Sequence, residues 1–347
     1  MMLKKKWLPV VMSALLAAAL AGCGSSDGKK TEAGGSGNQA DKKTYKIAIS
    51  QIVEHPSLDA TREGFMAALK DAGLSEGDNL EVDYKNAQND PATNLSIAQK
   101  FASGKEDLVL AIATSSAQAV VKEVKDKPVL FASVTDPVDA KIVSSLEKPG
   151  GNVTGVSDTN PEAVQRLMDF IAKHFPNIKS VGLIINEGEQ NAVVMAKNAE
   201  EALAKHNIKL VKAAVTNTSE VKQAAQSLVG RADALFITLD NTVVSGADTI
   251  IQVANENHIP FFSSDYDTVE KGAFATVGFK YFDHGYEVGK LAADILKNGK
   301  NPGEIPVKMQ EKLDVVLNLK AAEAQGVTVT EEMKNEVQDK ENYIINK

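Results

Sequence analysis

What most constrains this chain is an alternation that occurs twice. From Tyr45 onward, short apolar runs alternate with stretches whose apolar residues recur at helical spacing. That pattern predicts parallel strands covered by helices on both faces. Four runs come first, at residues 46–50, 80–84, 108–113 and 129–132, and four follow, at 181–185, 208–214, 234–238 and 260–263. Equivalent points in the two sets are Ile47 with Val181, Leu80 with Ile208, Thr114 with Thr238 and Pro128 with Pro260, each pair separated by between 124 and 134 residues. The likeness is one of pattern, not of residue identity. It predicts an α/β fold of two doubly wound, Rossmann-like lobes.

The run at 108–113 shows what such a lobe offers. Its apolar residues stop at Thr114-Ser115-Ser116 and give way to Ala117, Val120, Val121 and Val124 at helical spacing. A buried strand, a polar turn and a helix place that turn at the carboxyl edge of the sheet, where ligands dock in open α/β folds. Ser115 or Ser116 either caps the helix or holds an anionic group, and the two roles are compatible. The other strands end in similar polar punctuation: residues 51–56 and 133–137 in the first set, and 186–191, 239–241 and 264–267 in the second. Two lobes facing each other by these edges bring six loops into one cleft.

The lobes are joined by residues 150–158, where glycines and a β-prone run replace the usual helix. A helix is expected over residues 161–173, with Pro161 at its favoured first position. A strand at 273–279 and a long amphipathic helix at 282–297 follow, the helix ended by Asn298-Gly299-Lys300-Asn301-Pro302-Gly303. A strand at 313–317 and a helix at 320–325 come next. The charged, helix-prone tail from Glu331 is expected to pack only weakly.

Residues 1–22 read as a targeting segment: Lys4, Lys5 and Lys6 precede an apolar stretch at 8–20 that is too short to span a membrane comfortably. Leu20-Ala21-Gly22-Cys23 resembles the lipobox of bacterial lipoproteins. That resemblance implies cleavage before Cys23, acylation of its thiol with a fatty acid such as palmitate, and a protein lipid-anchored to the cell membrane on its extracytoplasmic face. Residues 23–43 lack large apolar side chains and read as a flexible tether. Cys23 is the only cysteine, so the folded part has neither a disulfide nor a thiolate metal site.

Removing the leader takes away three lysines and no acid, so the net charge falls from −8 to −11. An acidic chain without a clustered basic face argues against nucleic acid as a partner. There is no GxGxxG after the first strand, no GxSxG and no P-loop, and no cofactor is implied. His174, His206, His258 and His284 are scattered without metal-ligand spacing. The chain does not read as an enzyme.

With these features in place, the chain resembles the substrate-binding lipoproteins of ABC importers, type I, in the branch that includes the tryptophan- and tyrosine-binding proteins. The motifs that carry the resemblance are Val53-Glu54-His55-Pro56-Ser57-Leu58-Asp59, Ala113-Thr114-Ser115-Ser116-Ala117-Gln118, Thr135-Asp136-Pro137-Val138, Gly155-Val156-Ser157-Asp158, Asp240-Asn241 and Leu317-Asn318-Leu319-Lys320-Ala321. The resemblance implies a periplasmic-binding-protein-like fold with a multi-strand hinge. Lobe one would comprise residues 44–157 with 279–302, and lobe two residues 158–278 with 303–347. It also implies a monomer that captures a small ligand between closing lobes and delivers it to an ABC permease. Two departures stand out. Ala192 follows Glu189-Gln190-Asn191 where the family often has serine, and Val327-Thr328-Val329-Thr330 lacks a proline common after the last helix.

An amino acid brings a carboxylate, an ammonium and a side chain, and a closed cleft must satisfy all three. The expected ligand-binding residues are His55, Thr114, Ser115, Ser116, Thr135, Asp136, Asp158, Asn191, Asp240, Asn241 and Asp265. Hydroxyls and helix N–H groups at Ser115, Ser116 and Thr135 suit the carboxylate. Asp240 or Asp265, with Asp158 as a third choice, suits the ammonium. Capping alone also accounts for Asp136 before Pro137, for Asp240 and for Asn241. His55 either lies flat against the ligand or is polar surface. Aromatic residues are sparse in these loops, leaving Phe279, Tyr281 and Tyr266 for stacking. The alternatives are a nucleoside or sugar as ligand, or a sensor that feeds a membrane receptor.

Overall fold

The computed structural model describes residues 43–346. The expected signal peptide at 1–22, Cys23 and the tether up to residue 42 lie outside the described residues. The first half of the fold runs β1 (Tyr45–Gln51), α1 (Pro56–Asp71), β2 (Leu80–Asn86), α2 (Pro91–Ser103), β3 (Leu108–Ile112), α3 (Thr114–Glu123), β4 (Val129–Val134) and β5 (Val153–Ser157). The second runs α4 (Pro161–His174), β6 (Ser180–Ile185), α5 (Gln190–Ala204), β7 (Lys209–Ala214), α6 (Val221–Leu228), β8 (Ala234–Ile237), α7 (Asn241–Val244), α8 (Ala247–Asn257), β9 (Phe261–Ser263), α9 (Tyr266–Lys271) and β10 (Ala275–Gly278). The chain then continues through α10 (Tyr281–Asn298), β11 (Lys308–Met309), β12 (Asp314–Asn318), α11 (Leu319–Ala324), α12 (Glu331–Glu336), α13 (Lys340–Tyr343) and β13 (Ile344–Ile345).

Two sheets result, with strand orders β11-β5-β4-β3-β1-β2 and β13-β12-β10-β9-β8-β6-β7. The first is parallel throughout, and so is the second from β7 to β10. Central strands such as β3 and β4 are buried at every residue, which is why they read as unbroken apolar runs rather than alternating ones. One core fills the first lobe. The two faces of the second sheet carry separate cores, with Phe262 and Phe274 on one and Phe261 on the other. The chain reverses direction across each sheet between β1 and β3 and between β6 and β8, and crevices open beyond the strand ends at such points.

The long helix α10 follows a strand of lobe two but packs on lobe one. It lies backbone to backbone on α1 through Gly64, Gly285 and Gly289. A Cβ on Gly285 would stand 1.9 Å from the carbonyl oxygen of Thr61, and one on Gly64 1.9 Å from that of Phe282. Because α10 has crossed to the other lobe, the chain returns from the opposite side and β12 runs antiparallel to β10.

Two expectations need correction. The return to lobe two comes later than residue 303, because Lys308 and Met309 still pair with Val156 and Ser157 of the first sheet. The tail is not weakly packed: Met333, Val337 and Ile345 are buried, and β13 adds a strand beside β12. The Asp314 carboxylate holds the approach by accepting the N–H groups of Gln338 and Asp339 at 2.8–3.1 Å. Its apolar residues are too widely spaced among charges for periodicity to reveal them. No helix among the described residues is long and apolar enough to cross a membrane.

Candidate functional site

The carboxyl edges of the two sheets face one another across a cavity. From lobe one it is lined by His55, Ser57 and Leu58 after β1, and by Ser133 and Thr135 at the end of β4. From lobe two come Asn191, Leu239, Asn241, Val244 and Asp265, and from the crossovers Asp158 and Tyr281. Each residue is aimed by its local structure. Pro56 opens α1 at its first position, which leaves His55 extended before the helix and Ser57 in its first turn. Ser133 has φ +55°, a left-handed conformation that a non-glycine residue keeps only when it is held. Its N–H donates to His284 Nε2 of α10 at 3.0 Å.

Among the described residues, four polar contacts tie the lobes together directly. His55 Nε2 meets Asn241 Oδ1 at 3.2 Å, Ser57 Oγ donates to Asp265 Oδ1 at 2.9 Å, and Asn89 Nδ2 donates to Thr242 Oγ1 at 2.8 Å. Gln190 also donates to Asp139. Behind this surface Glu189 organises lobe two. Its carboxylate accepts the N–H groups of Asn241 and Thr242, the Asn241 amide and the Thr242 hydroxyl at 2.7–3.0 Å, and the Asn191 amide at 3.2 Å. These bonds fix both amides. With both Asn191 N–H groups spent on Leu239 O and Glu189, its Oδ1 remains a buried acceptor without a partner. With Asn241 Nδ2 given to Glu189, its Oδ1 accepts from His55, so the proton sits on Nε2 and His55 Nδ1 is a second unspent acceptor.

The charges point the same way. The lining includes Asp158 and Asp265 but no lysine or arginine. Burial pushes the Asp158 carboxyl up to about 6, against the pull of hydrogen bonds from Tyr281 and Thr159. Burial holds His55 below its ordinary value, and hence neutral. Burial, and next the Asp158 charge, drive the Tyr281 phenol well up, so it stays a donor. Asp265 is already occupied: it accepts from Ser57, Ser263, and both the N–H and hydroxyl of Thr268. The cleft therefore presents unspent acceptors and a carboxylate that lacks a counter-ion. Burial and the nearby Glu189 raise Asp240 well above the ordinary carboxylate range.

Of the residues expected from the sequence, His55, Thr135, Asp158, Asn191, Asn241 and Asp265 line this cavity. Asp240 lies beneath it, capping α7 through the N–H of Val243 at 3.0 Å and bonding the N–H of Asn186. Asp136 likewise accepts the N–H groups of Val138 and Asp139. Thr114, Ser115 and Ser116 are not among the lining residues. Neither serine caps α3, because the residue before the helix is Ala113, at φ +78°, and no side chain caps it. Helix α3 starts one residue after β3, and this turns Ser116 back into the lobe to bond Asn94. Tyr266 packs edge-on against Tyr343 at 5.8 Å instead of reaching the cleft. Ser57, Ser133 and Glu189 were not expected. Ser57, beside the His55-Pro56 helix start, left a trace in the sequence; the left-handed turn at Ser133 did not.

Two parallel lobes, a hinge of three crossovers and a buried polar cleft between strand ends are the anatomy of a solute-binding protein. A family model described as ABC transporter substrate binding protein matches residues 46–340, and the chain belongs to that family. It is 41% identical over 333 residues to the tyrosine-binding protein of Clostridioides difficile, covering 94% of this chain and 95% of the relative. Among solved structures, it is similar to an ABC domain from Streptococcus pneumonia in complex with L-Trp, at 31% identity and TM-score 0.80, covering 85% and 99%. It is also similar to the ligand-free, open structure of a substrate-binding protein with adhesive properties from Clostridium difficile, at 39% identity and TM-score 0.64, covering 88% and 99%. The greater sequence identity accompanies the poorer superposition. The direct bonds between the lobes mark the present conformation as closed.

Proposed function

We propose that this chain captures an aromatic amino acid between its lobes and presents it to an ABC permease. The observation that carries the reading is the acceptor-rich cleft. An ammonium brings three N–H donors and a positive charge, matching the unspent His55 Nδ1 and Asn191 Oδ1 and the uncompensated Asp158. A sugar brings no cation. The Ser133 hydroxyl, which bonds Thr61 at 3.1 Å, and the Thr135 hydroxyl, which bonds Asp158, would turn from these partners to meet a carboxylate. The 41% identical tyrosine-binding relative and the L-Trp-bound neighbour support an aromatic side chain. The same reading includes the anchor: acylated Cys23 holds the protein on the extracytoplasmic face of the membrane, on a tether ending near Lys43.

A thermal-shift screen of proteinogenic amino acids, nucleosides and common monosaccharides tests the assignment. Ligand at 100 times its Kd stabilises the closed form by about 2.7 kcal/mol, so tyrosine, tryptophan or phenylalanine is expected to stand out. A shift only with nucleosides or sugars would overturn the ligand class while leaving the family intact.

A further inference from the structure

Next to the cleft lies a second cavity, which shares Asp158 and Leu239 with the first. Its walls differ from those of the first in being mostly apolar: Ala163, Val164 and Leu167 of α4, Met195 of α5, Val277 of β10, and Phe279. Apart from Asp158 and Phe279 at the crossovers it is lined from lobe two, and most of these side chains belong to one of that lobe's cores. Four polar residues also line it, and of these Asp158, Thr159 and Asn160 are hydrogen-bonded. Ser264, just past β9, contributes to the lining, and its Oγ is buried with no hydrogen-bond partner. A buried hydroxyl left unbonded costs free energy, and here it does so in a mostly apolar cavity that shares two wall residues with the polar cleft.

Resting on the aromatic amino-acid reading, we infer that this second cavity is the subsite for the ligand's ring and that Ser264 Oγ is the partner for a hydroxyl at the ring's edge. Asp158, common to both cavities, then stands where the ligand's charged end meets its side chain. An apolar pocket alone discriminates weakly between a ring and its hydroxylated form. A pocket containing a buried hydroxyl that needs a partner favours the hydroxylated one. The site is accordingly built to prefer tyrosine over phenylalanine.

The test is calorimetric titration of the full chain with tyrosine and phenylalanine, on the wild type, Ser264→Ala and Ala163→Leu. Wild type is expected to bind tyrosine more tightly. Ser264→Ala should weaken tyrosine by about fivefold or more while leaving phenylalanine within about twofold, so that phenylalanine serves as the control for folding. Ala163→Leu, a substitution by a good helix former, should weaken both ligands by at least about tenfold by filling the cavity, with circular dichroism confirming that the variant is folded. An unchanged tyrosine-to-phenylalanine ratio in Ser264→Ala would overturn the role of the hydroxyl. Unaltered binding in Ala163→Leu would overturn the subsite. Failure of the wild type to bind any aromatic amino acid would overturn the ligand reading itself, and this inference with it.

Discussion

Asp158 is where the chemistry of the cleft is concentrated. It is buried at the first crossover, bonded by neutral hydroxyls and paired with no cation. An aspartate titrates near 3.9 when unfolded and at about 6 here, so folding takes up a proton between those values. The stability of the ligand-free protein therefore falls as pH rises through that window, by an amount on the order of 2–3 kcal/mol from this group. Ligand affinity should run the other way, because an ammonium binds the carboxylate and not the acid: Kd should rise by about tenfold per unit as pH falls below 6. Melting temperatures from pH 4.5 to 7.5, with and without ligand, measure both slopes, and Asp158→Asn should flatten both. Equal affinity at pH 5 and pH 7 would remove Asp158 as the ammonium's partner. The residues around it were unevenly legible. His55, Asn191 and Asp265 could be named because each lies in a polar stretch between a strand and the following helix, but the role of Glu189 depends on where the distant N–H groups of Asn241 and Thr242 come to rest, and that of Ser133 on the approach of His284. The turn at Thr114 was legible as a turn. The direction in which its hydroxyls point was not, since the single left-handed residue Ala113 sets it.

At the scale of elements, two close-packed helices link the halves of the fold. Helix α1 carries His55 and Ser57 at its start, and α10 holds it in place through contacts at Gly64, Gly285 and Gly289 that leave no room for side chains. Adding a methyl group at 285 forces α10 away from the Thr61 carbonyl, a backbone group that cannot swing aside. Gly285→Ala is thus expected to lower stability by about 3 kcal/mol despite alanine's better helix propensity, and denaturant melts would measure it. Because Tyr281 begins α10 and His284 holds Ser133, ligand affinity should fall as well. Unchanged stability would show that the helices can separate freely. Most of this level was readable in advance: the strand runs and the helix start at Pro161 lie in the sequence. The helix's allegiance to lobe one came only from the family resemblance, because α10 is amphipathic whichever lobe it covers. The final strand was hidden for a related reason: Ile344 and Ile345 form a run too short to show a period.

For the whole molecule the question is what holds the lobes closed. Of the four contacts between lobes, those of His55 and Ser57 lie in the ligand cavity, whereas the Asn89 contact does not include a cavity-lining residue. Asn89 sits at φ +57°, so Asn89→Gly removes the bond to Thr242 without straining the backbone. Glu189 and Asn186 still bond Thr242 in the variant, and the cleft of lobe two should keep its shape. A net hydrogen bond is worth about 1 kcal/mol, about fivefold in the balance between open and closed forms. If closure precedes tight binding, Kd rises by up to that factor, since the competent state is less populated. Small-angle scattering should then show a larger radius of gyration for the ligand-free variant than for the wild type, and the two should converge once ligand is saturating. Convergence with a raised Kd would place the loss in closure rather than in the site. An unchanged radius and Kd would mean that the Asn89–Thr242 bond merely accompanies a closure governed by the hinge and the cleft itself.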